Sequence, residues 1–176
     1  MRKHVFFCIG AVIAAAWVLG QSECPVEMPK PPFDATGAYV GTWQGQSTDE
    51  MQDVAACPLQ LTLTQDISAS YPRDHAVKGT AVIEYSCFDL PDWAPPIPPS
   101  TVAVSGLLGD DGKLTLWSGG CGTALCIVLG RNGDAEDADA DGHMDGFSGA
   151  WSLTFLLAGV EPFGFTGTFQ LAREEE

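Results

Sequence analysis

The chain is short of cations. Eight Lys and Arg stand against 23 Asp and Glu in 176 residues, and two of the eight, Arg2 and Lys3, belong to the extreme N-terminus. A field this negative repels phosphate polymers and anionic lipid surfaces, which excludes nucleic acid and anionic membranes as partners, and it attracts cations. It also keeps an exported protein soluble, which accounts for most of the excess. Histidine is scarcer still: His4, His75 and His143 are the whole supply. Gly-x-Ser-x-Gly, His-Glu-x-x-His and a phosphate-cradling glycine loop are all missing, and with them the signatures of serine hydrolases, zinc proteases and nucleotide binders. His75 falls in Tyr71-Pro72-Arg73-Asp74-His75, a polar, turn-like stretch expected to be solvated. The chain therefore reads as a non-enzyme. No Cys-x-x-Cys pair marks a zinc site, and no apolar run reaches the roughly 20 residues of a membrane helix.

The N-terminus has a form of its own. Met1-Arg2-Lys3-His4 precedes an uncharged run from Val5 to Gly20, followed by Gln21-Ser22-Glu23-Cys24. A short basic start, an apolar stretch and a polar change-over make a secretory signal, assigned to residues 1–22. A retained signal anchor is the alternative, and the tiny basic flank and the prolines that follow argue against it. Small residues permit cleavage after Gly20 or after Ser22; a third option is cleavage before Cys24, with a lipid on that cysteine. A cysteine just beyond the apolar run resembles the bacterial lipoprotein signal. The sequence departs from it at Gln21, where Leu is usual, and at Glu23, where Gly or Ala is usual. Residues 23–36, with Pro25, Pro29, Pro31 and Pro32, read as an extended tether. The implied location is extracytoplasmic, secreted or held by a lipoprotein anchor.

Cys8 leaves with the signal, so Cys24, Cys57, Cys87, Cys121 and Cys126 remain. An odd number in an oxidising compartment asks for an explanation. A lipid on Cys24 leaves four for two disulfides; the alternative is a free Cys24 on the tether. Chain proximity suggests Cys121 with Cys126 and Cys57 with Cys87, one of three possible connectivities.

From Gly37 onward the hydrophobic period is two. Tyr39, Gly41, Trp43 and Gly45 alternate with Val40, Thr42 and Gln44, Leu59, Leu61 and Leu63 alternate with Gln60, Thr62 and Thr64, and Val77, Gly79, Ala81, Ile83 and Tyr85 alternate with Lys78, Thr80 and Glu84. Val102 leads a run to Leu108, Asp110-Asp111-Gly112 reads as a tight hairpin turn, and Lys113 to Ser118 returns with Leu114 and Leu116 on one face. Cys126 to Leu129 is short; Phe147 to Leu157 and Phe163 to Leu171 are the last alternations. This pattern predicts a single all-β domain over 37–173, an antiparallel meander of about eight strands, either a small barrel or a β-sandwich. Glycines on apolar faces at Gly41, Gly79, Gly149 and Gly167 favour the barrel, where strands must bend and approach closely. Leu90 to Ser100, with five prolines around Trp93, cannot be a central strand.

One stretch carries chemistry. Residues 134–146 read Asp-Ala-Glu-Asp-Ala-Asp-Ala-Asp-Gly-His-Met-Asp-Gly. Calcium takes six to eight oxygens at about 2.3–2.6 Å, and carboxylates on alternate residues converge when a glycine lets the backbone curl. Asp137, Asp139 and Asp141 are the expected carboxylate ligands, His143 supplies a backbone carbonyl, and Asp145 holds a bridging water. Met144 is the apolar residue that tucks into the domain. The stretch resembles the calcium loops of EF-hands, dockerins and thrombospondin type 3 repeats. It departs from the EF-hand at the twelfth position, Ser148 in place of a bidentate Glu, and in its flanks, which are strands. Weak affinity is implied, roughly 10⁻⁴–10⁻³ M, with Asp134 or Glu136 as replacement ligands. The alternative is a solvated acidic loop.

Two functions compete. Gly41-Thr42-Trp43 and Phe165-Thr166-Gly167-Thr168-Phe169 resemble the strands of calycin-type barrels, the lipocalins and avidins. That resemblance implies a binding module for a small molecule or cell-surface partner, with Trp43, Trp117 and Trp151 as pocket walls. The other reading is a structural surface protein, tethered and stapled by calcium, with a packed interior.

Overall fold

In the computed structural model the described residues are 29–47, 53–84, 99–118, 125–155 and 163–174. The signal, Cys24, Cys87, Cys121 and the proline-rich stretch around Trp93 lie outside them.

Eight antiparallel strands close into a barrel in chain order: β1 (Gly37–Ser47), β2 (Asp53–Gln65), β3 (Ala76–Ile83), β4 (Ser100–Leu108), β5 (Lys113–Ser118), β6 (Leu125–Glu136), β7 (Gly146–Phe155) and β8 (Phe163–Arg173), with β1 pairing back onto β8. The expected barrel is therefore present, and the sandwich is not. Closure removes the exposed edges that an open sheet must protect. One turn of 3-10 helix, Arg73–His75, interrupts the β2–β3 connection.

The period-two pattern sorts side chains between two surfaces. Tyr39, Trp43, Leu59, Leu61, Leu63, Leu114, Leu116, Phe147, Trp151, Leu153, Phe165 and Phe169 all point inward and are buried. Trp43 and Trp151 meet with ring centroids 4.5 Å apart, and Phe147 meets Phe169 edge-on at 4.7 Å. Trp151 donates its indole N–H to the carbonyls of Gln44 and Thr168, at 3.0 and 3.1 Å. Close approach of strands explains the glycines on these faces. A Cβ at Gly79 would stand 1.8 Å from the Thr62 carbonyl oxygen, and one at Gly167 would stand 1.9 Å from that of Gln44.

β6 is longer than its apolar run. Between Leu129 and Asp134 its register slips against both neighbours. Gly130 and Asn132 adopt left-handed backbone, φ +61° and +57°. This bulge breaks the alternation, and pairing resumes at Asp134–Glu136, opposite Ser148 to Gly146. The aspartate loop is accordingly shorter than its acidic composition suggests, spanning 137–145 between β6 and β7.

Cys57 is wholly buried, and Cys126 is disulfide-bonded with its partner outside the described residues.

Candidate metal centre

One end of the barrel holds the β2–β3 connection, the β4–β5 turn, the β6–β7 loop and the two termini of the sheet. The last residues of the tether, Phe33 to Thr36, cross this end as a strap. Ala35 is buried and donates its amide to Gln65 Oε1 at 2.7 Å, while Gln65 Nε2 donates to the Asp74 carbonyl at 2.6 Å. Asp34 lies parallel to His143 in an isolated bridge: its amide donates to the Gly142 carbonyl, and its carbonyl accepts from the Met144 amide, both at 2.9 Å. The bridge leaves the His143 carbonyl unspent.

Met144 is fully buried, as its place in the loop pattern implies. Its carbonyl accepts from the Tyr39 hydroxyl at 3.2 Å, a proton shared with the Ala35 carbonyl at 3.1 Å, and Arg173 donates to Met144 and Thr36 carbonyls. Burial pushes the Tyr39 phenol up to about 12, with Asp34 and Asp145 adding to the shift and Arg173 opposing it.

Within the loop, carboxylates are oriented by backbone amides. Asp137 accepts from the Asp141 and Gly142 amides at 3.1 and 2.9 Å, Asp139 from the Asp141 amide at 3.1 Å, and Asp145 from the Ala138 amide at 2.6 Å. Curling of the chain puts Ala140 at φ +62° and Gly142 at φ +88°. A Cβ at Gly142 would meet nothing within 4 Å, so the glycine is there for its backbone and not for space.

The outcome is a convergence of three carboxylates. One oxygen each from Asp137, Asp139 and Asp145 lie within 4.8 Å of one another. Mutual repulsion opposes such a group unless a cation or donors offset it, and all-oxygen donors suit a hard cation. Asp141 is placed differently: its carboxylate accepts from the His143 amide at 2.8 Å. The His143 ring is exposed. Asp134 forms an ion pair with Lys113, at the other flank of β6. Ser148, at the twelfth position, is held in register between Asp134 and Gln170.

His75 overturns an expectation. It is only 5% exposed, with Nδ1 2.8 Å from Asp74 and Nε2 2.9 Å from Asp110. Two acidic partners on two connections satisfy the ring, which makes burial tolerable. Asp110 is distant in the chain, so the segment's own polarity gave no hint of it.

The three tryptophans do not form one wall. Trp43 and Trp151 touch inside the barrel, and Trp117 stands on its outer surface. Its parity on β5 is opposite to that of Leu114 and Leu116, a signal already present in the sequence.

No family model, curated protein or solved structure matches this chain.

Proposed function

We propose that this chain is an exported, surface-tethered β-barrel binding module whose strapped end is stapled by calcium. The observation that carries the reading is the convergence of the Asp137, Asp139 and Asp145 carboxylates on a loop bonded to the strap through Asp34. Those three, the His143 carbonyl and water would hold the ion, with Asp141 as a fourth carboxylate. Bound calcium supplies charge neutralisation. The chain's own residues do the rest: Met144 anchors the loop in the core, and Tyr39 and Arg173 join it to β1 and β8. Ser148 cannot replace a bidentate Glu, which keeps affinity in the weak extracellular range. Export rests on residues 1–22, and the anchor on a lipid at Cys24, which leaves an even number of cysteines. A non-enzymatic role fits His75, whose two ring nitrogens are both engaged by carboxylates.

A structural surface protein without a ligand pocket is the second reading. It is favoured by the filled interior, where the tilted rings of Trp43 and Trp151 pack 4.5 Å apart in the space a ligand would take.

Calorimetric titration of the mature domain with calcium tests the staple, alongside a variant carrying Asp137→Asn, Asp139→Asn and Asp141→Asn. Saturable binding is expected, and its loss in the variant. With a dissociation constant of roughly 10⁻⁴–10⁻³ M, about 10 mM calcium stabilises the fold by about 1.4–2.7 kcal/mol. That corresponds to a rise in Tm of about 3–10 °C. An unchanged Tm in calcium and in chelator would sink the idea.

A further inference from the structure

The surroundings of His75 set a chemical condition on its ring. A neutral imidazole carries one N–H and one lone pair, and only the doubly protonated ring donates at both nitrogens. His75 faces a carboxylate oxygen at each: Asp74 lies 2.8 Å from Nδ1 and Asp110 2.9 Å from Nε2. Ionised carboxylates accept hydrogen bonds and donate none. A neutral ring would set its lone pair against one of them inside hydrogen-bond distance. Both contacts close together only on the imidazolium.

Other titratable groups stand around the ring without taking either place. Tyr71 meets it edge-on, with centroids 5.3 Å apart, and Arg73, in the same helical turn, is exposed. Asp111, beside Asp110, accepts from the Lys113 amide at 3.1 Å. No further ion pair reaches the ring among the described residues.

The two arms differ in burial. The Asp74 side chain is 5% exposed and that of Asp110 58%. Loss of a ring proton forces one carboxylate to let go. Buried Asp74 would be left without its donor, which is costly, whereas Asp110 can turn to water. The proton that stays is therefore the one on Nδ1, and the arm that opens is Asp110.

That arm ties together two connections 35 residues apart in the chain. The β4–β5 turn that it holds is joined onward to the rest of the strapped end. The Gly112 carbonyl accepts from the Ala135 amide at 3.1 Å, and a Cβ at Gly112 would meet the Phe33 ring of the strap at 3.8 Å.

We propose that His75 is a proton-operated latch on the strapped end. With both ring protons it joins the β2–β3 connection to the β4–β5 turn, and on losing one it releases Asp110 and loosens the turn. Histidine is the side chain suited to such a change between mild acid and mild alkali. The latch shares no residue with the acidic loop and does not depend on calcium.

The test follows the ring nitrogens of the ¹⁵N-labelled mature protein by NMR from about pH 5.5 to 9, in chelator. Signals of His75 are identified by their loss in His75→Gln, and the exposed ring of His143 reports unlatched behaviour in the same sample. Both His75 nitrogens should be protonated at the acid end, and Nε2 alone should lose its proton as pH rises. Over the same range, hydrogen-exchange protection of the Gly112 and Lys113 amides, corrected for the intrinsic rate, should fall by about tenfold, the worth of one hydrogen bond to a charged group. Asp110→Asn separates the latch from general loosening. Asn offers either a carbonyl or an NH₂ to the ring and so suits both of its states, and protection of the turn should then stay level with pH. A ring with a single proton at the acid end, loss of the Nδ1 proton in place of Nε2, a ring doubly protonated throughout, or turn protection that ignores the ring's titration would each overturn the proposal. So would Asp110→Asn with the parent's pH dependence.

Discussion

The strapped end of the barrel and its outer wall are built from opposite materials. Among the described residues, every acidic residue except Asp53 and Glu84 belongs to the connections, strand ends or termini of the strapped end. The mid-wall presents Thr42, Gln44, Thr62, Thr80, Thr115, Thr168 and Gln170, with Lys78, Arg131 and the bare indole of Trp117. The difference follows from backbone physics. Loops expose amides that orient carboxylates, and they curl through left-handed residues such as Ala140 and Gly142. A strand offers every second side chain on a flat surface with its amides already committed to the ladder. Carboxylates gather at the end that can curl around a cation; the wall can offer only a platform.

Three perturbations sharpen the contrast. The largest effect belongs to Tyr39, at the junction of strap, loop and barrel. Its phenol is held at about 12 in the folded state against an ordinary 10.0, so folding favours the neutral form. The stability this contributes, on the order of 2–3 kcal/mol, is fully present below pH 10 and is lost as pH rises towards 12. Urea unfolding across that window should fall steeply in the parent protein and less steeply in Tyr39→Phe; parallel slopes would show that the strapped end does not depend on the phenol. Next comes Gly142→Ala, which places a Cβ at φ +88°. Strain of about 1–2 kcal/mol is expected, read as a lower unfolding midpoint together with weaker calcium binding. Smallest is Trp117→Ala on the wall. Its effect on stability should stay within about 0.5 kcal/mol, and a larger loss in chemical denaturation would mean that the indole supports the fold.

Most of the barrel was legible because burial on one face imposes a period of two. Tyr39 to Gly45, Leu59 to Leu63 and Phe147 to Phe155 fall in the strands their alternation predicts. β6 was underestimated because the Gly130–Gly133 bulge hides its continuation, and pairing with β5 and β7 restores it. The loop's sharp turn at Gly142 and the burial of Met144 could also be read. That Asp145 joins Asp137 and Asp139 while Asp141 turns to the His143 amide could not, because it depends on how the hairpin curls. Nor could the strap: Asp34 meets His143 across more than a hundred residues.

By itself the sequence determined the alternation that makes strands, the turn chemistry of Gly112 and Gly142, and the acidic balance, since each depends on neighbours within a few positions. Only the tertiary structure decided the closure of β1 on β8, the burial of His75 between Asp74 and Asp110, the strap across the acidic end and the solitary place of Trp117 on the wall. Those depend on which distant segments come together, and a chain pays the entropy of such meetings only once the whole barrel has closed.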